Sequence, residues 1–238
     1  SKAAAALHLI AWEGALPKSF REKYPETPGA IVSADEPNRV AWAQRISREC
    51  GKDAVRPSLL LLQDASPLVR AAALMALCNG AEVLCEHRDV ELLAGLEPAL
   101  LGDDLKVRVL AVKAAGAWAR KTGADDEFAR ESRRRLVPLL IEALDAEGED
   151  IRSSAAQALG RIGDAAAVPG LAAVSEDAKA QVRIMVLGAL AEIGDPRGVE
   201  AVARRLTDGN PDAVRAALDA CRRLLAAISR PKRVFPLK

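Results

Sequence analysis

From residue 35 to about residue 228, apolar positions fall three and four apart in short runs separated by polar turns. Runs such as "VRAAALMALC" (69–78) and "IRSSAAQALGRI" (151–162) carry the one-sided spacing of an amphipathic helix. The breaks between runs hold turn residues, as in "QDASPLVR" and "TDGNPDAVR". The pattern predicts pairs of helices joined by tight turns.

The pairs recur. A β-branched residue followed by arginine stands at Val69-Arg70, Val107-Arg108, Ile151-Arg152, Val182-Arg183 and Val214-Arg215, at steps of 38, 44, 31 and 32 residues. An acid precedes each pair: Asp64, Asp103, Asp145, Asp177 and Asp208. Nine residues before four of these acids stands an aliphatic, Val55, Leu136, Val168 or Val199, which predicts a first helix of about ten residues. Counting the β-branched anchor as zero, position seven of the second helix is Ala76, Ala114, Ala158, Ala189 or Cys221. Small side chains at one fixed helical position let neighbouring axes approach closely. No single pair can bury its apolar face alone, so the pairs must stack as a solenoid.

The irregular steps have visible causes. The 44-residue step contains the polar insertion "RKTGADDEFARESRRR", near 119–135, and the 38-residue step contains "AEVLCEHRDVE". An earlier, degenerate unit is expected in "SADEPNRVAWAQRISRECG", with Val40 at the anchor and Ala41 in place of arginine. The chain therefore divides into an N-terminal helix and loop capping segment (1–34), a repeat solenoid (35–228) and a C-terminal tail (229–238).

Composition agrees with this pattern. Half of the 238 residues are hydrophobic but only 3% are aromatic, so alanine, leucine and valine must build the core. The formal charge of +1 provides no global field to recruit nucleic acid or an anionic membrane. Cys50, Cys78, Cys85 and Cys221 show no metal-finger spacing and read as free thiols in a reducing, cytoplasmic setting. No apolar run reaches membrane-spanning length. The opening "SKAAAALHLIAWEGALP" is interrupted by His8 and Glu13 and reads as a packed helix, not a leader. A first residue other than methionine is what a piece of a longer chain would show.

"ALGRIGDAAAVPGLAAV" (158–174) and "ALAEIGDPRGVEAV", each following an acid and a β-branched–arginine pair, resemble HEAT repeats, most of all the short bacterial phycobilisome-lyase-like subtype. The resemblance spans roughly residues 35–228 and is strongest from 136 onward. It implies an all-α, right-handed α-solenoid of about five to six helical hairpins. It also implies a ladder of acids and arginines linking successive repeats, and a concave side lined by the second helices. Asp64 with Arg70 and Asp177 with Arg183 carry the ladder motif; Asp145 with Arg152 and Asp208 with Arg215 carry it one residue longer, and the unit at 103–108 is one shorter.

Gly160 and Gly163 invite comparison with a phosphate loop, but neither G-x-G-x-x-G after a strand nor G-K-[ST] occurs. Gly163 and Gly194 read instead as helix stops, with Asp164 and Asp195 capping the next helix. No catalytic motif joins His8 and His87, and "CEH" (85–87) cannot aim all three side chains at one ion from a helix. Deoxyhypusine hydroxylases, built on similar repeats, need several His-Glu dipeptides, and this chain has none. No metal or cofactor is expected.

Two candidate surfaces remain. Positions two, six and nine of the second helices place Ala71, Met75, Cys78, Val109, Lys113, Gly116, Ser153, Gln157, Gly160, Ile184 and Gly188 on the concave ridge, with Trp42 at position two of the degenerate unit. Small and apolar residues there form a groove for a partner helix or peptide, unless another helix or the tail covers it. The second surface is an anion-binding patch of Arg120, Lys121, Arg130, Arg133, Arg134 and Arg135, diluted by Asp125, Asp126, Glu127 and Glu131. The expected function is a non-enzymatic scaffold, monomeric, for a protein or peptide partner. The alternatives are a phycobilin-lyase-like or other enzyme-associated chaperone role, and nucleic-acid binding through the arginine-rich insertion.

Overall fold

The computed structural model describes residues 16, 18–25, 29–30, 33–49, 53, 55–79, 90–119 and 127–229. Every regular element among them is helical, and they fall into two compact units, Ser1–Trp118 and Ala119–Lys238.

In the first unit, α1 (Lys18–Lys23) precedes α2 (Glu36–Glu49), α3 (Val55–Leu61), α4 (Pro67–Asn79), α5 (Val90–Leu101) and α6 (Leu105–Trp118). Helices α3 and α4 form one hairpin and α5 and α6 the next, while α2, α4 and α6 pack in sequence as second helices. Phe20 on α1 lies 4.9 Å from the Tyr24 ring and 6.4 Å, edge-on, from Trp42 on α2. All three are buried, so the scarce aromatic residues cover the outer side of the first second helix.

The second unit comprises α7 (Glu127–Glu142), α8 (Glu149–Ile162), α9 (Val168–Ala173), α10 (Ala180–Ile193), α11 (Val199–Arg204) and α12 (Pro211–Ile228). Second helices α8, α10 and α12 again pack in sequence, each beside its first helix α7, α9 or α11. Two of the expected ten-residue first helices, α9 and α11, are shorter in their α-helical part, while α7 runs to 16 residues. Six α-helical residues in α9 and in α11 are flanked by 3-10 turns, Ala165–Ala167 and Val174–Glu176 around α9, Pro196–Gly198 and Arg205–Thr207 around α11. Half of the polar insertion also proves helical, because residues 127–135 form the start of α7.

The glycine stops behave as expected. Gly163 (φ 70°) and Gly194 (φ 71°) take the left-handed conformation, and their N–H groups reach Leu159 O and Leu190 O at 3.0 Å. The Asp164 and Asp195 carboxylates then accept from the N–H groups of Ala166 and Arg197 and start the next first helix. The core is mainly alanine, leucine and valine, and Ala76, Ala114, Ala158 and Ala189 at position seven are all buried.

Candidate functional site

The arginine after each anchor has five N–H donors in a rigid fork, and the turn before it offers carbonyls and a carboxylate. In α10, the Nη1 atom of Arg183 donates to Asp177 O at 2.8 Å and Ala178 O at 3.3 Å, in its own turn. The other edge of the fork crosses to the next repeat, where Nε and Nη2 meet the Asp208 carboxylate at 2.8 and 2.7 Å. Arg152 repeats the arrangement, with Nη1 on Ala146 O and Glu147 O and the fork on Asp177 at 2.6 and 3.1 Å. Each acid also bends its own turn, Asp177 accepting from Lys179 N and Asp208 from Asn210 N. The motif pair is therefore split between repeats. The arginine of one clamps the acid of the next, 25 residues on.

This contact corrects the register in three places. Arg39, not Ala41, occupies the arginine place of the first unit: it donates to Ser33 O, six residues back, and clamps Asp64 at 2.8 and 3.2 Å. In the unit at 145, the carbonyl six residues before Arg152 belongs to Ala146, so Asp145 is not a rung. In the last repeat Asp208 is in register but Val214 stands where arginine would, with its N–H on Asn210 O as the Arg183 N–H is on Lys179 O. Arg215 instead points outward to Asp212, 3.3 Å away.

Moving the first anchor back to Asn38 changes the ridge. Trp42 becomes position four, aligned with the buried Ala73, Ala111, Ala155 and Val186, and is itself buried. Ala71 is buried as well. Gly160 lies inside the α8–α10 contact, where a Cβ would stand 2.8 Å from Ala189 Cα. Cys78, Val109, Ile184 and Gly188 are half-buried, and the Cys78 thiol faces Leu110 O of α6 at 3.6 Å.

Position six is the part that stays open. In the first unit it carries Gln44, Met75 and Lys113, all exposed. In the second it carries Gln157 and Asp219, exposed, and Gly188, whose missing Cβ would meet nothing within 4 Å. Gln44 and Asp219 were hidden from sequence reasoning by the misplaced end registers; the signal for Gln44 was Arg39, 25 residues before Asp64. The face is more polar than the smooth apolar groove that small residues suggested.

Of the basic patch, Arg120 and Lys121 lie outside the described residues. Arg134 holds Glu131 through two hydrogen bonds of 2.6 and 2.7 Å, and Arg133 lies 3.9 Å from Asp164. Arg130 and Arg135 also have partners within the protein. Arg133 and Arg134 are thus drawn towards local acids. Among the described residues, no helix is long and apolar enough to cross a membrane.

The ladder has an acid limit. The Arg152 fork, with the Lys179 N–H, holds the Asp177 carboxyl below its ordinary range. The Arg183 fork and the Asn210 N–H do the same for Asp208. Groups with depressed folded-state values stabilise fully above the unfolded carboxylate value, about 3.9, and lose that contribution as pH falls through the lower folded values. Thermal melts from pH 7 to pH 2.5 should show the wild type losing more stability below about pH 4 than Asp177→Asn/Asp208→Asn does. Equal acid losses in the two proteins would contradict this assignment.

The family model for HEAT repeats matches residues 93–179 and 137–222. No curated protein matches the chain by sequence. Among solved structures, a designed armadillo repeat protein in complex with the peptide (KR)4 is 19% identical, with a TM-score of 0.68, covering 84% of this chain and 98% of that one. An engineered protein from the Northeast Structural Genomics Consortium is 20% identical, at TM-score 0.67 and 85% and 96% coverage. The CpcE–CpcF complex of phycocyanin lyase from Nostoc sp. PCC7120 is 21% identical at TM-score 0.54, covering 71% of this chain and 64% of that one.

Proposed function

The chain belongs to the HEAT-repeat family, and from that premise we propose that it is a non-enzymatic scaffold binding a peptide or protein segment along the open faces of the second helices within a unit. The observation that carries this reading is position six, exposed on α2, α4 and α6 in the first unit and on α8 and α12 in the second, with open space at Gly188 on α10. Gln44 and Gln157 present amides that can both donate to and accept from a peptide backbone. Met75 adds an adaptable apolar contact, 47% exposed, and Lys113 a charge. The designed armadillo protein solved with a peptide supports a partner of this kind.

A displayed peptide library selected on the wild-type chain supplies the probe. Met75→Glu/Lys113→Glu should weaken binding of a selected peptide by about tenfold or more, because two exposed contacts on adjacent helices are lost or reversed in charge. Selected peptides that bind the double variant as tightly as the wild type, at unchanged thermal stability, would overturn the reading.

A further inference from the structure

The ladder is interrupted in the first unit, and the interruption leaves Arg70 held in its turn without the next repeat's acid among the described residues. Arg70 is anchored as Arg152 and Arg183 are, with Nη1 donating to Asp64 O and Ala65 O at 2.8 Å each. In the other two arginines the Nε and Nη2 edge then holds an aspartate of the next repeat at 2.6–3.1 Å. In Arg70 that edge meets no acid among the described residues. The cause is the next turn. Three residues, 102–104, separate α5 from α6, against five, 62–66, between α3 and α4. The place six residues before Arg108, where the acid would stand, is Gly102. Arg108 itself turns Nε onto Leu100 O at 3.2 Å.

We propose that the Nε–Nη2 edge of Arg70 is a binding site for an aspartate side chain carried in a turn of a partner protein. Three features support an occupant of that chemistry. The guanidinium is already fixed by two backbone carbonyls, so little conformational freedom remains to be lost when a carboxylate arrives. Arg70 is only half-buried, and the two nitrogens that find no partner among the described residues are not fully enclosed, so solvent reaches them. The occupants of the equivalent forks at Arg39, Arg152 and Arg183 are all aspartates whose carboxylate also accepts the N–H two residues on, at Ser66, Lys179 and Asn210. A turn-borne aspartate fits a fork shaped for one. Arg70 stands at position one of α4 and Met75 at position six, about 140° apart around a helix, so this site is separate from the open face proposed above.

The probe is a blocked peptide copying residues 207–212 of this chain, TDGNPD, in which the second residue is a natural occupant of the fork. Arginine side-chain NMR follows the Nε–H resonances of the full chain during titration. The Arg70 resonance should shift and saturate in the millimolar range, while that of Arg152, already paired, stays in place. Replacing the second residue of the peptide by asparagine should abolish the shift. Arg70→Lys, which keeps the charge without the fork, should weaken binding by about tenfold. Three results would each overturn the proposal: an unmoved Arg70 resonance, an equal response to the asparagine peptide, or an equal response to acetate, which marks a site for any small carboxylate.

Discussion

Asp208→Ala should lower the unfolding free energy by about 3 kcal/mol, one of the two largest losses expected from a single substitution in this protein. The Asp208 side chain is 2% exposed and accepts both arms of the Arg183 fork together with the Asn210 N–H. Its removal strands a guanidinium that is itself 14% exposed, and breaking such a pair costs about 3–5 kcal/mol when burial is complete. The lower end applies because Arg183 keeps its two turn carbonyls. The pairing itself is tested by a double-mutant cycle in urea. Asp208→Ala and Arg183→Ala should couple by about 1.5 kcal/mol or more. Asp208→Ala and Arg215→Ala should not couple, and Arg215→Ala alone should change stability by less than about 0.5 kcal/mol, because Arg215 is 81% exposed. Coupling of Asp208 to Arg215 instead would restore the pairing within one repeat.

Gly160→Val should cost about 3 kcal/mol, and the sign of the milder alanine change is the sharper test. A Cβ on Gly160 would stand 2.8 Å from Ala189 Cα, 2.9 Å from Glu192 Oε2 and 3.0 Å from Ala189 Cβ. The glutamate can swing away, but the α10 backbone cannot without moving the helix. At an open helical position, glycine to alanine stabilises by up to about 1 kcal/mol through helix propensity. Gly188, with nothing within 4 Å of its would-be Cβ, is such a position on the neighbouring second helix. Gly188→Ala should therefore raise the melting temperature and Gly160→Ala lower it. Two shifts of the same sign would show that α8 and α10 are not held at this separation by Gly160.

These two sites mark where residue patterns suffice and where they stop. Helix pairs, glycine stops, capping aspartates and the buried alanines at position seven follow from local chemistry, and the structure has them where the pattern puts them. The partner of an acid does not follow, because Asp208 has an arginine at suitable spacing both in its own repeat and in the one before. Only stacking decides between Arg215 and Arg183. The end registers failed for a related reason. At Asn38-Arg39 the β-branched anchor is missing, and at Ala213-Val214 the arginine is, so an eye trained on the pair slides to Val40 and Arg215. Gly160 and Gly188 look alike in sequence, yet a second helix in a stack is covered on two sides. Three residues of helical rotation separate a glycine inside a contact from one on the open face.

The 25-residue reach of the rungs also makes the second unit a set of interchangeable parts. Arg152 and Arg183 are 31 residues apart, and so are Asp177 and Asp208. Excising residues 177–207 would leave Arg152 the same 25 residues from Asp208 that it now is from Asp177, with the same kind of turn to receive it. Insertions and deletions in a gene built this way are tolerated in whole repeats and penalised in fractions of one, since any other length moves the aspartate out of register with the fork. The 38-residue step in the first unit is not a whole repeat of this length, and Gly102 stands there at the sequence place where the acid would be.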